Sequence, residues 1–182
     1  MHALIQPTRG FPTVRIPSRS GGLPVEVCLV AQLGPGGGDQ LFAGVSGQQR
    51  GHASFVDALD EPSAKLFGVD FPRGDRSSLY SFTVDAGGHP FHRHAGHRVF
   101  TAIAGSGGAQ LRFSTIGDEE LRSDPAAFLD SLHVVDVPPD SLFTVRFGGG
   151  TWHQFAPRQP ASRHPVFFAL SCHTDELGGI HD

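Results

Sequence analysis

The segment GGHPFHRHAGHRVF carries four histidines, His89, His92, His94 and His97, within nine residues. Neutral imidazole is a ligand for zinc, iron, copper and nickel, so a metal centre is the chemistry this cluster suggests. In an extended strand, residues two apart project from the same face, so His92 and His94 can converge on one ion. The count alone decides nothing, because 11 histidines in 182 residues give roughly 0.7 His-x-His pairs by chance. A third ligand from elsewhere has to complete the argument. His153, in VRFGGGTWHQF, is the best candidate. It follows a strand pattern and three glycines, which permit a sharp turn and a close backbone approach.

These ligands need strands to hold them. In SLYSFTVDA the residues Tyr80, Phe82 and Val84 alternate with Ser81, Thr83 and Asp85, the period of a half-buried strand. SLFTVRF alternates likewise through Phe143, Val145 and Phe147, and PVFFALSC reads as a closing apolar strand. RVFTAIAG and AQLRFS bracket SGG and read as a hairpin, as do LPVEVCLVAQL and DQLFAGVSG around GPGGGD. Residues 54–78 read as a loop with at most a short helix. One helix is expected in SDPAAFLDSLH, with Asp124 as N-cap and Pro125 at its first position. The sum is a mainly β chain of nine or ten strands, a sandwich or barrel. Residues 1–22 read as an extended N-terminal arm, 23–77 as strands and loop packing on the barrel, and 78–182 as the barrel core.

HRHAGHRVFTAIAGSG resembles the first motif of the cupins, and RFGGGTWHQF is similar to their second. The resemblance spans roughly residues 78–173 and implies a double-stranded β-helix, or jelly-roll barrel, here with extra N-terminal strands. It implies metal ligands at His92, His94 and His153, with Gly105 and Gly150 at motif glycines. Two positions depart from the pattern. Gly148 stands for the second-motif proline, and Arg98 stands where the first motif has a glutamate ligand. Arginine keeps its proton and offers no lone pair, so Arg98 cannot be a ligand. His97, one residue earlier, is the candidate replacement if the short Ala95-Gly96 stretch forms a bulge. Regular strand parity would instead turn it away.

An all-histidine site favours borderline metals over magnesium or calcium. The expected cofactor is therefore a divalent transition metal, iron first and zinc or nickel as alternatives. The resemblance implies an iron(II)-dependent dioxygenase-type oxidoreductase acting on a small anionic substrate. In that reading His97 is a fourth ligand or base, and Arg98 pairs with a substrate carboxylate. A non-catalytic binding or sensing cupin and a metal-free isomerase-like barrel stay open beside it. His89 is expected on an exposed loop, and His133, His164 and His173 belong to no motif.

The composition excludes other classes. The net charge is −4 and Lys65 is the only lysine, so the basic footprint of a nucleic-acid binder is missing. No apolar run approaches the roughly 20 residues that span a bilayer. The amino terminus has no apolar segment behind a basic one, so a cytoplasmic location is expected. Cys28 and Cys172 sit in apolar runs and read as free thiols. A homodimer is expected, since barrels gain from covering exposed strand edges.

Overall fold

The computed structural model describes residues 11–58, 61–68 and 77–174. Its strands follow the alternation in the sequence. β1 (Thr13–Ile16) and β2 (Val25–Gln32) pair first; β3 (Phe55–Ala58) and β4 (Glu61–Gly68) form a second antiparallel pair. After these come β5 (Ser77–Val84), β6 (His97–Ala104), β7 (Ala109–Ser114), β8 (His133–Val137), β9 (Ser141–Phe147), β10 (Trp152–Pro157) and β11 (Phe167–Thr174). The helices are α1 (Gly37–Arg50) and the short α2 (Asp118–Ser123) and α3 (Ala127–Asp130). None of them is long and apolar enough to cross a membrane.

Two sheets result. One runs β1-β2-β9-β6-β11-β5-β4-β3, and the other β10-β7-β8. The sheets face each other across a core dominated by phenylalanine. Phe82, Phe100, Phe143, Phe147 and Phe167 come from the large sheet, Phe113 and Phe155 from the small one, and all are buried. Their rings meet mostly edge-on, as between Phe82 and Phe100 (5.2 Å, 88°) and between Phe143 and Phe167 (5.6 Å, 86°). This is the arrangement that the charge distribution of aromatic rings favours.

Three expectations fail here, each for a physical reason. β6 and β7 are not a hairpin: β6 pairs with β9 and β11, while β7 pairs with β8 and β10 in the other sheet. The Ser-Gly-Gly link therefore carries the chain from one sheet to the other. The segment read as the second strand of an N-terminal hairpin is α1, despite its four glycines. The Asp140 carboxylate accepts the Gly36 and Gly38 N–H groups (3.0 and 2.9 Å), giving the helix start the acceptor it lacks locally. Gly38 also docks so tightly that a Cβ there would lie 2.0 Å from the Ala104 carbonyl oxygen, so the glycine that weakens the helix is what seats it. At the other end of α1, buried Gln49 bonds Ser81 and Thr83 of β5 and the Pro62 carbonyl.

The third failure is the loop assigned to 54–78, which contains β3 and β4. These residues lack clean alternation, and β4 is held by pairing with β5 rather than by an apolar pattern of its own. The helix expected around residue 124 is shorter than its pattern suggested. Asp124 does accept the Ala126 N–H (3.0 Å), but α3 ends at Asp130.

Candidate metal centre

The first-motif histidines do not sit on a full strand. Residue 92 makes a single antiparallel bridge to residue 153, with His92 N–H to the His153 carbonyl at 3.1 Å and the reverse bond at 2.9 Å. The glycine turn before β10 is fastened to the same segment. Gly150 (φ 76°) donates its N–H to the His94 carbonyl at 2.7 Å. Gly149 approaches so closely that a Cβ would lie 1.8 Å from the Ala95 carbonyl oxygen. No side chain fits there, which is why the triple glycine delivers His153 against the His92/His94 pair.

The rings then converge. His92 and His153 have centroids 4.3 Å apart, His92 and His94 4.9 Å, and His94 and His153 5.4 Å. One ring nitrogen from each of the three lies within 4.8 Å of the others. Backbone carbonyls select the tautomers. His92 Nδ1–H donates to Pro90 (3.1 Å) and His153 Nδ1–H to Thr151 (3.0 Å), leaving both Nε2 lone pairs available. A partner on the far nitrogen is the usual support of a metal-binding imidazole.

Burial keeps the set uncharged. It is the main cause of the low pKa values of His92, His94 and His153. Nearby charge depresses them further, chiefly Arg98 for His94, which falls to about 3, and the other imidazoles for His153. Neutral imidazoles with lone pairs gathered at one point are the form in which histidine binds a metal. The residues fit a borderline divalent ion.

The cluster opens onto a cavity of about 250 Å³. Its apolar floor is Phe82, Phe100, Phe147 and Phe155, and its polar wall includes Arg98, Glu61, Tyr80 and His173. Arg98 is 5% exposed on the inward face of β6, opposite Phe147 on β9 and His173 on β11.

No family model and no curated protein matches the chain. Among solved structures, a cupin-2 domain protein from Rhodospirillum rubrum is 18% identical, covering 84% of this chain and 71% of its own at a TM-score of 0.38. A cupin 2 conserved barrel protein from Rhodopseudomonas palustris is 19% identical, covering 89% and 80% at 0.37. Hydroxypropylphosphonic acid epoxidase from S. wedmorenis, solved with fosfomycin, is 10% identical at 0.44, covering 66% of this chain and only 53% of its own. Likeness at this level is partial, and the strand order decides the matter. From β5 onward the chain crosses between the sheets at every step but one, β7 to β8, to give β9-β6-β11-β5 facing the residue-92 bridge, β10, β7 and β8. That is an eight-segment jelly roll with both histidine segments on one wall. The fold is a jelly roll, the architecture that the sequence resemblance implied.

Within this jelly roll, the structure brings His92, His94, His153 and Arg98 together and leaves His97 out. His97 opens β6, where alternation sends the next side chain, Arg98, inward. Its Nδ1 accepts the Gly149 N–H (3.0 Å), so its ring fastens the glycine turn and does not join the cluster. His89 is not on an exposed surface, as expected from its loop, but buried to 4%. Its Nδ1–H donates to Pro90 (2.8 Å) and its Nε2 accepts the Phe155 N–H (3.2 Å), which uses both nitrogens of a neutral ring.

Two cavity residues escaped the sequence reading. His173 stacks on Tyr80 (4.4 Å, 21°), and its pKa is lowered to about 3 by burial and then by Arg98. Glu61 places Oε2 3.7 Å from His92 Nε2 and 3.9 Å from His89 Nε2. Burial raises its pKa to about 7 against the opposing pull of Arg98. Neither residue belongs to a motif. The one signal in the sequence was the missing glutamate, which leaves a carboxylate to be sought elsewhere.

Proposed function

We propose that this cupin is a metal-dependent oxidoreductase of the dioxygenase type acting on a small anionic organic molecule. His92, His94 and His153 hold the ion, iron being the expected one, and Arg98 orients the substrate. The observation that carries this reading is the joint position of three neutral imidazoles and one buried guanidinium on the wall of a single cavity. A redox-active divalent ion held there supplies Lewis-acid and electron-transfer chemistry. Arg98 offers a planar fork of donors that matches a carboxylate, in surroundings that strengthen the pair. The phenylalanine floor takes the apolar body of the substrate, and a cavity of about 250 Å³ limits it to a small molecule.

The test is metal content by plasma mass spectrometry of untagged protein beside a His92→Ala/His94→Ala variant, followed by oxygen-uptake assays on small carboxylates, thiols and diketones. Near-stoichiometric iron in the parent, lost in the variant, together with oxygen consumption on an anionic substrate, is the expected result. Tightly held zinc with no oxygen uptake would move the protein to the binding or sensing class. No metal in either protein after reconstitution would overturn the metal reading.

A further inference from the structure

The glutamate position of the first cupin motif is held by Arg98, whose side chain points into the cavity as a ligand there would. A carboxylate nevertheless reaches the site from a strand outside the motif. Glu61 is the first residue of β4, which is positioned by antiparallel pairing with β5 and lies three places from β6 in the large sheet. Its Oε2 is 3.7 Å from His92 Nε2. Two ligands at metal bonds of about 2.1 Å stand about 3.0 Å apart at right angles and about 3.4 Å in a tetrahedron. Against His92 alone Glu61 needs a shift of a few tenths of an ångström. Its oxygen groups within 4.8 Å with His89 and His92 and not with the whole His92, His94 and His153 set. Joining His94 and His153 on one ion therefore takes a further turn of its side chain into the cavity that it already lines.

His89 does not compete for this role, although it lies almost as close to Glu61 (3.9 Å). The Phe155 N–H occupies its Nε2. The carboxylate and His92, whose Nε2 is available, form the pair with coordinating capacity. Charge argues the same way. Three neutral imidazoles around a divalent ion leave its full charge beside the Arg98 guanidinium, and one carboxylate in contact with the ion lowers that repulsion.

We propose that Glu61 is the fourth protein ligand of the metal. In this arrangement the carboxylate comes from the start of β4 and not from the β6 position that Arg98 holds, so the N-terminal β3–β4 pair is part of the metal centre. This rests on the three-histidine reading of the site. In consequence a bound ion ties β4 to the wall that carries His92, His94 and His153.

Zinc(II) alone is the probe, titrated in competition with a chromophoric chelator into the parent, Glu61→Gln and His92→Ala/His94→Ala. Glu61→Gln is expected to weaken zinc at least as much as the roughly 10-fold that loss of a supporting partner of a metal ligand costs. The double histidine variant is expected to abolish binding. Equal affinity of parent and Glu61→Gln within twofold, with binding still lost in the double variant, would overturn the role of Glu61 and leave the histidine site standing. Retention of zinc by the double variant would overturn both. Should Glu61→Gln fold poorly, hydrogen exchange of the parent decides: β3 and β4 amides are expected to slow on adding zinc, and unchanged rates would overturn the proposal.

Discussion

Burial of His89 makes the metal-free protein acid-sensitive by an amount that can be worked out. Its side chain is fully enclosed and its pKa falls from 6.5 to about 4, mainly through burial, which outweighs the favourable bond to Pro90. The folded state thus refuses a proton that the unfolded chain accepts. Above pH 6.5 the ring is neutral in both states and contributes no pH dependence. As pH falls from 6.5 towards 4 the unfolded state gains the proton alone, and the stability lost approaches a limit of about 3 kcal/mol. By pH 4.5 most of that loss, about 2–3 kcal/mol, is expected. The assay is urea unfolding of the parent and His89→Gln at pH 7 and pH 4.5, with chelator present so that metal binding adds nothing. His92, His94, His153 and Glu61 titrate in both proteins and largely cancel. The parent should lose about 2–3 kcal/mol more than the variant over that interval. Equal losses would refute the claim that His89 is held neutral by its surroundings.

His97 and Asp140 give two further tests. His97→Ala should leave zinc affinity unchanged and cost about 1 kcal/mol in stability, since it removes the acceptor of the Gly149 N–H; chelator competition and urea unfolding read the two separately. Asp140→Ala deprives the start of α1 of an acceptor for two N–H groups and should cost about 2–3 kcal/mol. In a chain of this size that lowers Tm by several degrees, measurable by calorimetry.

Local pattern announced the strands that face the core. The alternation of Phe82 and Val84 in β5 and of Phe143, Val145 and Phe147 in β9 is present in the sequence and reappears as buried residues. But β5 is not half-buried as read, because α1 covers Ser81 and Thr83 through Gln49. The His-x-His pair and the glycines before His153 likewise foretold three rings that do converge. What the sequence hid depends on distant partners. α1 needs Asp140, roughly 100 residues away, to satisfy its amino end, and its glycines mimic a turn until Gly38 is seen against Ala104. Glu61 and His173 reach the cavity only through the register of β4 on β5 and of β11 on β6. His97 looked like a ligand because it stands beside the two candidate ligands of the His-x-His pair. A backbone N–H fifty-two positions away uses its lone pair.

The segment that carries His92 and His94 is joined to β10 and its turn by one reciprocal backbone pair and by the single bonds His89 N–H to Phe155 and Gly150 N–H to His94, where the other seven core segments have full ladders. An ion spanning His92 and His153 would supply the cross-strand link that the backbone omits at this place. The wall that carries the histidines is thus the least cross-linked of the core segments, and the place where a bound ion would add most to the fold.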